Sequence, residues 1–340
     1  MKRIGTMLLC LALLMAAVPL GALTVSAASS GVTGDCKWSL SGTKLTISGE
    51  GEMANYNVDN NQFAPWGTEI TSVIIKEGVT SVGMGAFYLC TTLTEVSLPE
   101  SLAEIREVAF CGCASLTNVT IPENVTAIGA GAFSVCISLG EITIPDTVDY
   151  IGDMGFYLSG LKKIVVSNFS GFGQMGQYVF AGCANLEEAI FDYGAVIPEG
   201  TFLECESLRT LVIDDRLEDI MDDAFSGCDN LKDVYYTGSE IERSDYLWIH
   251  QGNEVLDDVA QWHYNAGPII IQQPKVVCNS SGSKATATVR VMGDTVSYTW
   301  WIRDVGETEF HKVSANSSVY SITMTNKNMG RRRFWVAFLW

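Results

Sequence analysis

The sequence predicts a solenoid: stacked coils, each giving one short strand to a parallel β-sheet and returning through a turn or helical segment. Three columns in the sequence predict it. A phenylalanine recurs as Phe87, Phe110, Phe133, Phe156, Phe180, Phe202 and Phe225, at intervals of 23, 23, 23, 24, 22 and 23 residues. Five residues before each stands an apolar side chain: Val82, Ile105, Ile128, Ile151, Met175, Ile197 and Ile220. Six residues after comes Leu93, Leu116, Leu139, Leu161, Leu186, Leu208 or Leu231, except that the fourth is five after. A fixed period of 20 to 30 residues with a leucine frame marks a repeat array whose coils bury their faces on one another.

The chain has 340 residues, is 47% hydrophobic and 18% charged, and so has material for a large core. With 21 Lys and Arg against 39 Asp and Glu, its net charge is −18. Such a surface repels phosphate backbones and argues against nucleic acid as a partner.

Residues 1–28 read as a transport signal. Lys2 and Arg3 precede an apolar run from Met7 to Leu20, and Val25-Ser26-Ala27 or Ser26-Ala27-Ala28 supplies the small residues of a cleavage site. The run is short for a membrane span, so no integral membrane segment is expected after cleavage, and the protein is expected to be secreted or on the cell surface. Residues 29–69 are expected to form a β-hairpin cap. Trp38, Leu40, Leu45 and Ile47 alternate with polar residues about Ser41-Gly42, ahead of a first coil that would otherwise expose its edge.

Residues 70–236 are the array. Each coil has a strand of the form L-x-x-V-x-I, such as Leu116 to Ile121, often closed by proline (Pro99, Pro122, Pro145). The return I-G-x-x-A-F-x-x-C is expected to be a tight turn and one helical turn, with Gly83, Gly129, Gly152 and Gly176 at the bend. Residues 237–267 break the period and read as a C-terminal cap and linker, with a short helix near Ile241–Ile249. Residues 268–340 alternate in strand-like runs and read as an immunoglobulin-like β-sandwich with Trp300 or Trp301 buried. Its roughly 73 residues are fewer than the ~100 of a complete sandwich, which suggests truncation; the alternative is a last strand from Phe334 to Trp340.

The pattern L-x-x-V-x-I-P-x-x-V-T-x-I-G-x-x-A-F-x-x-C resembles the BspA-like leucine-rich repeats of bacterial surface proteins; Leu116 to Cys136 match it almost throughout. The hairpin and the His263-Tyr264-Asn265 ending resemble the flanks of such arrays, and the last segment resembles the bacterial Ig-like modules that follow them. The resemblance implies a leucine-rich-repeat solenoid and a surface protein engaged in adhesion or in contact with host or matrix proteins. Copies four to six depart most from it: Ser159 replaces Cys, and Asp192 to Pro198 is short.

Ten cysteines invite a disulfide or metal reading, but six of them (Cys90, Cys113, Cys136, Cys183, Cys205, Cys228) stand three after the repeat Phe. That register predicts a ladder of buried thiols. Cys111-Gly-Cys113 is the only close pair and lacks zinc spacing. His250, His263 and His311 stand in no nucleophile frame, and no catalytic or phosphate-binding motif occurs, so no enzyme activity and no cofactor are expected. The acidic run Asp214, Asp215, Glu218, Asp219, Asp222, Asp223 lacks Ca²⁺-loop spacing and reads as a solvated face.

Function is expected on the sheet's open face. Outward positions pair as Ser72/Ile74, Glu95/Ser97, Asn118/Thr120, Glu141/Thr143, Lys163/Val165, Glu188/Ile190, Thr210/Val212 and Asp233/Tyr235. The first column is polar. The second turns apolar at Val165, Ile190, Val212 and Tyr235, and such a strip, beside Lys163, Glu188, Thr210 and Asp233, predicts contact with a protein or peptide partner. A non-catalytic spacer or accessory module of a larger exported enzyme is the alternative.

Overall fold

The computed structural model describes residues 29–167, 174–192, 195–266, 269–278, 284–292, 297–303, 311–313, 319–323 and 333–339. The transport signal expected over residues 1–28, with Cys10, lies outside them. The chain divides into two compact units, one built from residues up to Val234 together with Ser244–Trp262, the other from Tyr235–Arg243 with His263 onward.

In the first unit the front strands run along the array in three hydrogen-bonded groups, which part between Glu95–Ser97 and Asn118–Thr120 and between Glu141–Thr143 and Lys163–Ser167. The antiparallel pair Cys36–Ser41 and Lys44–Gly49 precedes it, and Lys44–Gly49 pairs in parallel with the first coil strand, Ser72–Ile75. Glu95–Ser97, Asn118–Thr120, Glu141–Thr143, Lys163–Ser167, Glu188–Asp192 and Thr210–Ile213 follow, one per coil, and Asp233–Tyr236 runs across the boundary between the two units in sequence. Wherever two pair they are parallel and in register by one period, as at Asn118↔Glu141 and Glu188↔Thr210.

The return differs from the expected helical turn. It begins with a second parallel ladder, Val79–Val82, Glu104–Ile105, Ala127–Ile128, Tyr150–Ile151 and Gln174–Met175, resumed by Ala195–Ile197, Leu217–Ile220 and Trp248–Ile249. After it the backbone takes a left-handed residue two before and two after every repeat Phe: Gly85 and Leu89, Val108 and Gly112, Gly131 and Val135, and so on to Asp223 and Gly227. This alternation turns peptide groups along the array. Phe110 N donates to Ala132 O and Phe133 N to Gly155 O, both at 2.8 Å, where a helix would bond within itself. The fourth coil has no glycine at either site; Met154 and Leu158 sit at φ 57° and 54°, a conformation that costs an L-residue about 1 kcal/mol or more. Offsetting burial comes from a satellite apolar cluster of Tyr88, Leu89, Cys111 and Val135, joined by Val58, Val108 and Leu158.

The glycines expected at the bend serve another purpose. Gly129 and Gly152 are not left-handed; a Cβ at Gly129 would lie 2.4 Å from Glu107 N, and one at Gly152 2.4 Å from Ala130 N. They let one coil's backbone lie on the next. Gly129→Ala is expected to lower stability by about 1–3 kcal/mol through overpacking against main chain, read as a fall in the urea midpoint at unchanged m-value.

Between the ladders lies the core. All seven phenylalanines are buried and their rings stack at 5.0–5.6 Å between centroids, with Trp66 tilted over Phe87 at the N-terminal end. The thiol ladder is present. From Cys113 onward each sulfhydryl reaches back to a Phe carbonyl of the preceding coil, as Cys113 to Phe87 O at 3.2 Å, Cys136 to Phe110 O at 3.2 Å and Cys228 to Phe202 O at 3.1 Å, while Cys90 at the start reaches Gly67 O. Ser159 continues it, with Oγ 3.2 Å from Cys183 Sγ.

The second unit holds two antiparallel three-stranded sheets. One orders Ile269–Cys278, Lys284–Met292 and Val319–Thr323; the other orders His311–Val313, Ser297–Arg303 and Arg333–Leu339. The expected burial of Trp300 or Trp301 concerns side chains outside those described.

Candidate partner-binding face

The front sheet has two regimes. In the early coils its outward side chains stand in water: Ile74 is 51% exposed, and Glu95, Ser97, Asn118, Thr120, Glu141 and Thr143 are exposed. Period-two alternation on rigid, in-register strands puts them there. In the later coils the expected apolar strip is closed. Val165, Ile190 and Val212 are direct cross-strand neighbours, but Ile190 is 1% and Val212 3% exposed, and Val165 is half-buried. Tyr235 is half-buried too, its ring stacked on that of His263 at 4.5 Å and 14°. Alternation along a strand gives the side to which a residue points; it says nothing of what lies over that side.

The polar column beside the strip is more open. Lys163 Nζ meets Glu188 Oε2 at 2.6 Å across adjacent strands, and Thr210 is in register with Glu188. Both charges are partly in water, so the pair contributes at most ~1 kcal/mol and leaves its outer atoms to a partner. Asp233 is half-buried at the column's end.

The titratable side chains of the array are held in structural contacts. Burial pushes the ladder thiols up, Cys183 to about 11 and Cys136 and Cys228 to about 12, the opposite of an activated nucleophile. His250 stands 3.3 Å from Asp219 Oδ1, and His263 is engaged in its ring stack. In the acidic run, Asp214 is buried and bonded to Arg216, whose Nη2 also reaches Asp192 Oδ1 at 2.7 Å. Among the described residues no three His, Cys, Asp or Glu side chains come together to hold a metal ion, and no helix is long and apolar enough to cross a membrane.

Sequence reasoning missed the outer face of the back ladder. Its rungs close when the residue four before each Phe donates to the coil before, as Gly129 N does to Ile105 O and Met221 N to Ile197 O. Pro198 holds that place in the sixth coil and has no N–H. There the ladder breaks, and a groove of about 550 Å³ opens, walled by Tyr150, Met175, Val196 and Met221 with Asp153 and Glu199 among its polar residues. Pro198, sitting where other coils carry Gly, Arg or Met, was the signal available in the sequence.

A model of the BspA-type leucine-rich repeat region matches six copies, over residues 57–187 and 142–248, more than half of the chain. This chain belongs to the BspA-type leucine-rich repeat family. Among solved structures, the BspA-type array is similar to a leucine-rich repeat protein from Eubacterium ventriosum (19% identity, 62% of this chain and 86% of that one, TM-score 0.25). It is similar as well to a leucine-rich repeat protein of T. pallidum (22%, 58% and 88%, TM-score 0.37). A third is a leucine-rich cell surface protein from Faecalibacterium prausnitzii (20%, 68% and 97%, TM-score 0.27). No curated protein matches the chain. Family membership rests on the repeat model.

Proposed function

We propose that this chain is a non-catalytic binding protein, secreted or held at the cell surface, and that the front sheet of its array engages a protein partner. Its six C-terminal strands are read as an Ig-like module that follows the array in sequence. The observation that carries the reading is the row of polar side chains on the front strands: Glu95, Asn118, Glu141 and Lys163 are exposed, and Glu188, Thr210 and Asp233 are half-buried beside them. A repeat array offers an extended surface of this kind and no convergent catalytic cleft. Val165 borders the surface; with Ile190 and Val212 closed, partner contact falls on the polar column.

The test is binding of the full chain to immobilised fibronectin, fibrinogen and collagen. Saturable binding to one of them, weakened at least tenfold by Glu95→Lys, Glu141→Lys and Glu188→Lys together at unchanged melting temperature, is the expected result. Equal binding by that variant removes the front sheet from the reading. No binding to any of the three leaves the spacer or accessory-module reading in its place.

A further inference from the structure

At the C-terminal end of the back ladder lies a second cavity, of about 470 Å³, on the side of the coil away from the front sheet. Its walls include Tyr246 and Trp248, which are 66% and 69% exposed. Tyr246 ends the helix Glu240–Tyr246, none of whose residues is buried. Trp248 starts the last rung of the ladder, in register with Asp219, while Leu247 between the two aromatics is buried and anchors the segment. Two large aromatics held in water beside one cavity are poor material for a core and good material for a contact site.

The rest of the lining is acidic. Apart from Leu217 and Arg216 it consists of Asp215, Glu218, Asp219 and Asp245, of which Asp219 also meets His250 Nε2 at 3.3 Å. Arg216 is drawn away: its Nε bonds Asp214 and its Nη2 bonds Asp192, so its charge is largely answered by two other carboxylates. Carboxylates and exposed aromatic rings lining one cavity make a surface that attracts a cation twice, by Coulomb attraction and by the ring quadrupole.

We propose that this cavity takes a lysine or arginine side chain from a basic segment of a partner protein, with the cation over the rings of Trp248 and Tyr246 and its remaining N–H groups turned to the carboxylates. Charge complementarity selects the occupant. A neutral glycan could stack on the same rings, but would leave the excess negative charge uncompensated. This site is separate from the front sheet and does not rest on the reading of that face.

The experiment measures binding of labelled hexalysine to the full chain by fluorescence anisotropy at physiological salt. Trp248→Ala and Tyr246→Ala keep the net charge of the wild type, so general attraction to the acidic surface is the same in all three. Each is expected to raise Kd at least threefold and the double variant about tenfold, and Nε-acetylated hexalysine is expected not to bind. Circular dichroism confirms the fold of each variant. Hexalysine binding that is absent, or equal in wild type and double variant, overturns the proposal. Binding of chitohexaose that Trp248→Ala abolishes, with hexalysine unaffected, reassigns the cavity to carbohydrate and also overturns it.

Discussion

Raising the pH from 8 to 10 under reducing conditions is expected to unfold the array. Each of the six ladder thiols is pushed up by burial: Cys183 to about 11, Cys136 and Cys228 to about 12, with Cys90, Cys113 and Cys205 shifted in the same direction. In the unfolded chain a thiol titrates near 8.5. Below that pH both states hold the proton and these groups confer no pH dependence. Above it the unfolded chain releases protons that the folded chain retains, so stability falls as pH rises, up to the folded pKa of each thiol. The slope is about 1.4 kcal/mol per pH unit for each fully titrating thiol, or about 8 kcal/mol per unit for six. A domain holding 5–15 kcal/mol loses most of it within one to two units. Urea denaturation at closely spaced pH values checks this. Cys136→Ala is expected to flatten the dependence by one thiol's share, about 1.4 kcal/mol per unit. An identical slope in wild type and variant would show that the ladder thiols already titrate in the folded protein.

Phe133→Ala is expected to destabilise the array by about 3–5 kcal/mol. Phe133 is fully buried, and its ring lies 5.3 Å from Phe110 and 5.4 Å from Phe156, nearly parallel to both. Removing it leaves a cavity between two rings and breaks the stack at mid-length. Coils meet only their neighbours, so the damage is local and the loss of cooperativity general. Urea denaturation followed by far-UV circular dichroism should show a lower midpoint and a broader or two-step transition. Phe225→Ala, at the other end of the stack from Trp66, should cost less, since its ring stacks on Phe202 alone among the described phenylalanines. Equal losses at the two positions would mean that the stack is not the spine of the fold.

The period was legible in the sequence because a stacked core repeats its demands coil by coil. Phe, Leu and Cys recur in step since each fills the same place in successive layers. The backbone of the return was not legible. Its left-handed residues are met by Gly in some coils and by Leu89, Val108, Met154 or Glu204 in others, so composition alone hides them. Gly129 and Gly152 looked like bend residues; what marks them is the main chain of the adjacent coil, which no local window contains. The front face failed differently. Val165, Ile190 and Val212 do share one side of the sheet, yet Ile190 and Val212 are covered, and cover is a property of tertiary structure. The pair Tyr246 and Trp248 lay in a segment without period and only acquires meaning beside Asp219 and Glu218.

Pro198 carries one last consequence. The front strands pair without interruption across that junction, from Lys163–Ser167 to Thr210–Ile213, while the opposite flank shows no rung there among the described residues. Stiffness along the array is therefore lopsided at that coil: bending that spreads the weakened flank meets less resistance than bending the other way. The array has a preferred direction of flexure built in by one imino acid.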